Sequence, residues 1–180
     1  MVLAKAIIGT PIGDMLALDS GEGLCALEFV EPMKRMSGLE ARLRRWFPPH
    51  DIADRETATI AQARAWLDSY FAGRSADISG LRLDMRGADF EKQVWGALRL
   101  IPPGETTSYG AIAKALGSAG ASRAVGAANG ANPVAIVVPC HRVIGSSGSL
   151  TGYGGGLERK TWLLDHERRW RQEPQRSLFG

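Results

Sequence analysis

The spacing of apolar positions changes twice along the chain. Before residue 31, three short apolar segments at 2–8, 15–18 and 24–30 are separated by the clusters Gly9-Thr10-Pro11-Ile12-Gly13 and Asp19-Ser20-Gly21-Glu22-Gly23. Short apolar runs broken by Gly, Pro, Asp and Ser predict an antiparallel meander. From residue 34 the spacing lengthens to three and four, which predicts helices over 34–47 and 58–71, the second stopped by Gly73. Residues 79–86 read as an extended connection, after which turn signals separate helical patterns. This divides the chain into an N-terminal α/β structural unit at 1–85 and a C-terminal unit at 86–180.

In the second unit, Asp89 is placed to cap a helix running to Leu100, with Phe90, Val94 and Leu98 at four-residue spacing and Trp95 beside them. Pro102-Pro103-Gly104 ends it. Thr107 or Ser108 caps a short helix to Leu116, and Gly117-Ser118-Ala119-Gly120 turns the chain into another over 121–130, a helix-turn-helix spacing. The continuous apolar run 134–138, closed by Pro139, predicts a buried strand.

At 180 residues, 44% hydrophobic and 23% charged, the chain can bury a core, and disordered or collagen-like classes are excluded. Two cysteines, Cys25 and Cys140, cannot make a disulfide framework and point to a reducing compartment. No apolar run reaches the roughly 18–20 residues of a membrane span, and 2–8 is short for a signal peptide, so a soluble cytoplasmic protein is expected. Net charge is only +3, but it is uneven. Residues 1–88 hold 11 Lys plus Arg against 12 Asp plus Glu, and residues 89–180 hold 11 against 7. Between Glu105 and Glu158 lie 52 residues without a carboxylate, a surface suited to a polyanion's backbone.

The second helix of the pair is almost entirely small: Ala121, Ser122, Arg123, Ala124, Val125, Gly126, Ala127, Ala128, Asn129, Gly130. A helix that reads base edges in a major groove needs several long polar side chains. Here Arg123 stands alone, so the helix either packs tightly against a neighbour or approaches a shallow minor groove with Arg123 as its probe.

Cys140 is the candidate nucleophile. It follows the apolar run, is flanked by Pro139, His141 and Arg142, and lies in the carboxylate-free stretch, conditions expected to lower its pKa. Cys25, inside a predicted strand, reads as inert core. Adjacent side chains do not face one another, so His141 is expected to act on Cys140 through a relay, with Glu158, Asp165 or Glu167 orienting the imidazole. His50 and His166 read as surface or loop residues, and no spacing matches a metal-ligand set, so no metal is expected. The run Gly152-Tyr153-Gly154-Gly155-Gly156 lacks the context of a nucleotide loop, so no nucleotide cofactor is expected, and it reads as a flexible lid beside the cysteine.

Pro139-Cys140-His141-Arg142-Val143-Ile144-Gly145 resembles the active-site box of the O6-alkylguanine-DNA alkyltransferases. The resemblance extends upstream through Phe90 to Trp95, Ile101 to Gly110, Arg123-Ala124-Val125-Gly126 and Asn132-Pro133. Downstream it continues through Leu150-Thr151-Gly152-Tyr153, Gly155-Gly156-Leu157, Lys160 and Leu163 to Glu167, and Thr10-Pro11-Ile12-Gly13 and 24–29 are similar to the family's N-terminal strands. It implies an α+β fold: a ribonuclease-H-like α/β domain with an antiparallel sheet, then a mostly helical winged helix-turn-helix domain. It also implies roles: Cys140 as alkyl acceptor, His141 as water-linked base, Glu167 as its carboxylate, Asn132 bracing the turn, and Tyr109 as proton donor. Arg123 would fill the gap left by a flipped nucleotide, with Ala121, Ser122, Ala124, Gly126, Ala127 and Thr106 along the DNA. Tyr109, Ala135, Val143, Tyr153, Gly154 and Gly155 would line the pocket.

The implied activity is one irreversible transfer of an alkyl group from O6 of guanine, with O4 of thymine a further candidate, in duplex DNA. No cofactor, metal or membrane would be needed, and the protein would be a stand-alone monomer, with cooperative binding to DNA left open by the sequence. Ala135 and Gly154 depart from the Pro and Ser that some members carry, which bears on pocket width. Two rivals share many of these features: a winged-helix regulator whose cysteine only senses damage, and a Cys-His hydrolase.

Overall fold

Strands β1 (Val2–Ile8), β2 (Met15–Asp19) and β3 (Leu24–Phe29) form the expected antiparallel meander in the computed structural model, which describes residues 1–172. Residues 173–180, the end of the expected C-terminal unit, lie outside the described residues. Ile8 pairs with Met15 across the first turn, and Met15 with Phe29 across β2 and β3. A fourth strand, β4 (Asp51–Asp54), extends the sheet in the order β3-β2-β1-β4 and runs parallel to β1, so the sheet is mixed. Its sequence, Asp-Ile-Ala-Asp, has one large apolar residue and every position is exposed, so no burial pattern marked it.

Helix α1 (Met33–Trp46) covers one face of the sheet, where Leu39, Leu43 and Phe47 pack with Leu3, Leu18, Cys25 and Ala26. Helix α2 (Ala58–Phe71) covers the other, capped by the Thr57 hydroxyl accepting from Ile60 N. Its buried positions Ile60, Ala63, Trp66, Leu67 and Tyr70 follow helical spacing and join the larger core. Strand β3 is buried along its whole length because helices cover both its faces and the segments around Leu83 and Val134 pair with its free edge.

Helix α3 (Asp89–Leu98) starts one residue earlier in its capping than expected: the N-cap is Ala88, whose N–H donates to the Glu91 carboxylate at 2.7 Å, and Asp89 is the first helical residue. It ends at Leu98, and Leu100 and Ile101 close a turn onto Ala97 and Leu98. Ser108 caps α4 (Tyr109–Ala115) through Ala111 N, and α5 (Ser122–Gly130) follows the glycine turn. Trp95 Nε1 donates to Ala128 O at 2.8 Å and so ties α3 to the end of α5. The two-residue strands β5 (Thr107–Ser108) and β6 (Val143–Ile144) pair in parallel, and α6 (Leu157–Gln172) closes the fold.

The run 134–138 is buried but is not a strand. Ile136 adopts a left-handed φ of 68°, Val138 N donates back to Val134 O, and only a single bridge joins Val134 to Leu27 of β3. Left-handed backbone in a β-branched residue costs about 1–3 kcal/mol. Here it folds the run into a tight loop that delivers Pro139 and the following cysteine to the interior, which a straight strand of the same composition would not.

Candidate active site

Cys140, His141 and Arg142 form one 3-10 turn directly after that loop. Asn132, fully buried, spans the loop: its Oδ1 accepts from Val134 N at 3.0 Å and its Nδ2 donates to Val138 O at 2.8 Å. Asn129 Nδ2, from the last turn of α5, donates to Cys140 O at 3.4 Å. The cysteine backbone is therefore fixed from both sides of the junction between α5 and the loop.

Of the three downstream acids left open by the sequence, the fold brings Glu167 to the turn. Its carboxylate, at 0% exposure, accepts five hydrogen bonds. Oε1 takes Tyr70 Oη at 2.6 Å, His141 Nε2 at 2.7 Å and Arg142 Nη2 at 2.8 Å, while Oε2 takes Arg142 Nε at 2.9 Å and Gly104 N at 3.1 Å. Burial alone would raise its pKa, but the His141 and Arg142 contacts outweigh it and hold the carboxyl well below the usual range. A carboxylate only accepts, so His141 carries its proton on Nε2, and its Nδ1 is a bare lone pair with no partner among the described residues. Asp165 instead pairs with Arg168 at the surface, and Glu158 lies exposed in the first turn of α6.

The thiol is not depressed as expected from its neighbours in sequence. Cys140 is only 3% exposed, and burial pushes its pKa up, partly offset by the Asn132 side chain and the positive charges of Arg35 and Lys160. Burial likewise lowers the His141 pKa against the pull of Glu167. Both shifts favour the neutral thiol beside the neutral imidazole, with the proton on sulfur in the resting protein. Cys25, by contrast, is pushed up to about 12 by burial and donates only to Leu18 O, in keeping with inert core.

The glycine run 152–156 forms a strap beside the cysteine turn. Lys160, fully buried, donates to Val143 O at 2.6 Å and Thr151 O at 2.9 Å, and Tyr109 Oη donates to Thr151 O at 3.2 Å. Tyr153 stands edge-on to His141 at 6.4 Å, with its hydroxyl buried and without a partner among the described residues. Ala135, Val143 and Gly155 are buried, and Tyr109, Tyr153 and Gly154 half-buried. A Cβ on Gly154 would run into the Arg35 guanidinium, so the departure noted in sequence is where the strap meets α1. Arg35 in turn pairs with buried Glu28 and donates to Gly130 O at 2.8 Å and Asn132 O at 3.2 Å.

On α5, Arg123, Ala124, Ala127 and Gly130 are exposed, Ala121, Ser122 and Gly126 half-buried, and Val125, Ala128 and Asn129 face the core. The outward face is thus small residues around one long cation, and Thr106 is exposed just before β5. His166 differs from expectation. It is half-buried in α6, stacked on Trp162 at 5.0 Å, and donates from Nε2 to Tyr70 O at 2.8 Å.

Comparison with known proteins bears directly on this arrangement. The family model described as the ribonuclease-like domain of 6-O-methylguanine DNA methyltransferase matches residues 3–85, and the DNA-binding domain of the same family matches residues 89–169. The methylated-DNA–protein-cysteine methyltransferase of Mycolicibacterium paratuberculosis is 49% identical over 152 residues, covering 84% of this chain and 90% of the relative. The Salmonella typhimurium protein of the same name is 47% identical over 167 residues, covering 92% and 95%. The chain belongs to the 6-O-methylguanine DNA methyltransferase family.

Solved methyltransferase structures share the fold. The Mycobacterium tuberculosis O6-methylguanine methyltransferase superposes with a TM-score of 0.76 at 42% identity over 93% of both chains. The protein from Pyrococcus kodakaraensis superposes at 0.70 with 29% identity over 92% of this chain and 98% of its own. The α+β architecture expected from the resemblance, a sheet unit followed by a helical one, is the observed one. Tyr70, Glu28 and Arg35 were not found in the sequence. Tyr70 occupies an ordinary core position of α2, and Glu28 and Arg35 reach the site only because β3 and α1 lie against the 130–132 turn.

Proposed function

We propose that the chain repairs duplex DNA by moving a methyl or other alkyl group from O6 of guanine to Cys140 Sγ, once and irreversibly. Its two units, 1–85 and 86–180, would divide the work, the first supporting the site and the second binding DNA and accepting the alkyl group. The observation that carries this reading is the buried Glu167–His141 pair standing beside a thiol on an over-determined turn, with Nδ1 of the imidazole left bare. A DNA complex of the Mycobacterium tuberculosis relative, TM-score 0.77 at 42% identity and 94% coverage of both chains, supports DNA as the partner.

The small outward face of α5 suits a minor groove, and Arg123 is the side chain able to occupy the space of an extruded nucleotide. An alkylated O6 is stacked inside the duplex, so the base must leave the helix, at a few kcal/mol, before a fixed sulfur can reach it. Cys140 is buried, so Thr151 just before the strap must part from Tyr109 to admit the base. His141, through a water at Nδ1, takes the thiol proton, and Sγ attacks the alkyl carbon. The carbon–sulfur bond forms as the carbon–oxygen bond breaks, and the electron pair returns to the guanine. Tyr109, kept protonated because burial raises its pKa, delivers a proton to the ring and regains one from His141. Glu167 stabilises the imidazolium between those steps.

The test is intact-mass analysis after mixing with a duplex carrying O6-methylguanine. One added methyl on the Cys140 peptide and a restored guanine support the proposal. A modified base that persists while the protein binds would identify a sensor instead.

A further inference from the structure

We propose that Tyr70, on α2 of the sheet unit, is a positioning residue for the alkyl transfer: its hydroxyl shares Glu167 Oε1 with His141 and sets how strongly that carboxylate retains the imidazole proton. The inference rests on Cys140 and His141 acting as set out above.

Tyr70 is fully buried and gripped at both ends by α6. Its carbonyl accepts from His166 Nε2 at 2.8 Å, and its hydroxyl donates to Glu167 Oε1 at 2.6 Å. Its ring stacks on Trp66 at 5.3 Å and meets Phe71 and Trp170 edge-on, so the hydroxyl has little freedom to leave. A phenylalanine would fill the same core. Burying the hydroxyl without a partner would be destabilising, and its partner here is Glu167.

The chemical consequence follows from sharing one oxygen. Oε1 accepts from Tyr70, His141 and Arg142 together, so each donor drains charge available to the others. The other titratable groups around the pair are Cys140 on the same turn, Lys160 on α6 and Tyr153 on the strap, with His166 behind Tyr70. Removing the phenol leaves Oε1 more basic and favours imidazolium, so His141 stays protonated to higher pH and is a poorer acceptor for the thiol proton below it.

The experiment measures the rate of methyl transfer from an O6-methylguanine duplex against pH for the wild-type protein and Tyr70→Phe. The acidic limb is expected to move up by roughly half to one pH unit. The variant would then lose several-fold in rate below the limb and approach wild type on the plateau. An equal loss at every pH with an unmoved limb would reduce Tyr70 to packing and overturn the proposal. If Tyr70→Phe folds poorly, a ring-fluorinated tyrosine at the same position donates more strongly and is expected to move the limb down; an unmoved limb again overturns it. Failure of the underlying reading looks different: wild type would transfer nothing, or Cys140→Ala would still transfer, and both proposals would fall.

Discussion

Replacing Glu167 by glutamine tests the buried charge cluster with almost no change of shape. The carboxylate offers two acceptor oxygens to five donors, including both arms of Arg142. An amide keeps one acceptor and turns the other position into a donor, so at least one of the two sets loses its partner and the Arg142 guanidinium, 5% exposed, is left without a counter-charge. Removing one member of a buried pair costs about 3–5 kcal/mol. In a domain of this size each kcal/mol is worth roughly 2–4 °C, so a fall of about 6–20 °C in melting temperature is expected. Transfer should slow by roughly 10²–10⁴, because an amide neither fixes the His141 tautomer nor stabilises its cation.

The control is Glu56→Gln, which breaks the Arg64–Glu56 pair, whose side chains are 39% and 49% exposed. Such pairs contribute about 0–1 kcal/mol, so little change is expected. Thermal melts at pH 8, with single-turnover repair of a methylated oligonucleotide, read both effects. Equal melting of the two variants would refute the claim that this cluster is held by desolvated charge. The pH dependence supplies a second check. The Glu167 pKa is depressed in the fold, so its stabilisation is present above its ordinary value near 4.5 and is lost as pH falls toward the folded value. The gap between wild type and Glu167→Gln should therefore narrow only below about pH 4.5.

Other expected outcomes follow from the same geometry. Glu28 behaves oppositely: burial outweighs the attraction of Arg35 and Arg42 and raises it to about 7, so its contribution to stability declines as pH rises from 4.5 to about 7. Denaturant titrations should find this slope missing in Glu28→Gln, and an unchanged slope would contradict the assignment. Gly154→Ala should push Arg35 off the Gly130 and Asn132 carbonyls at a cost of about 1–3 kcal/mol, and an unshifted melt would show that the strap yields instead. Cys140→Ala should abolish transfer while leaving duplex affinity nearly intact, as measured by fluorescence anisotropy. Arg123→Ala should slow repair of a paired lesion more than repair of a mismatched one, where less flipping energy is needed; equal slowing would argue against a role in extrusion.

Much of the outline was legible in local pattern because the relevant physics is local. The meander strands, α2 and the α4–α5 pair are set by apolar spacing, by caps such as Thr57 and Ser108, and by glycine turns, all of which act over a few residues. The candidate pair was legible for a different reason: Cys140 and His141 are adjacent, and the box around them resembles the family to which the chain belongs. Where local pattern and surroundings disagreed, the surroundings decided. The strand-like run 134–138 became a loop because β3 offers it only one bridge and Ile136 turns the chain back. The strand β4 went unseen because it forms by pairing with β1 and buries nothing.

What the chain determined by itself was therefore which residues are the candidates for the chemistry and which short segments are helix, strand or turn. What tertiary structure alone decided was their ionisation and their partners. Flanking cations suggested an acidic thiol, yet burial of Cys140 raises it, because desolvation depends on everything packed around the sulfur and not on the residues beside it in sequence. The choice of Glu167 over Asp165, and the arrival of Tyr70 from 97 residues away at the same carboxylate, likewise depend on how α2 and α6 pack, which no local pattern encodes.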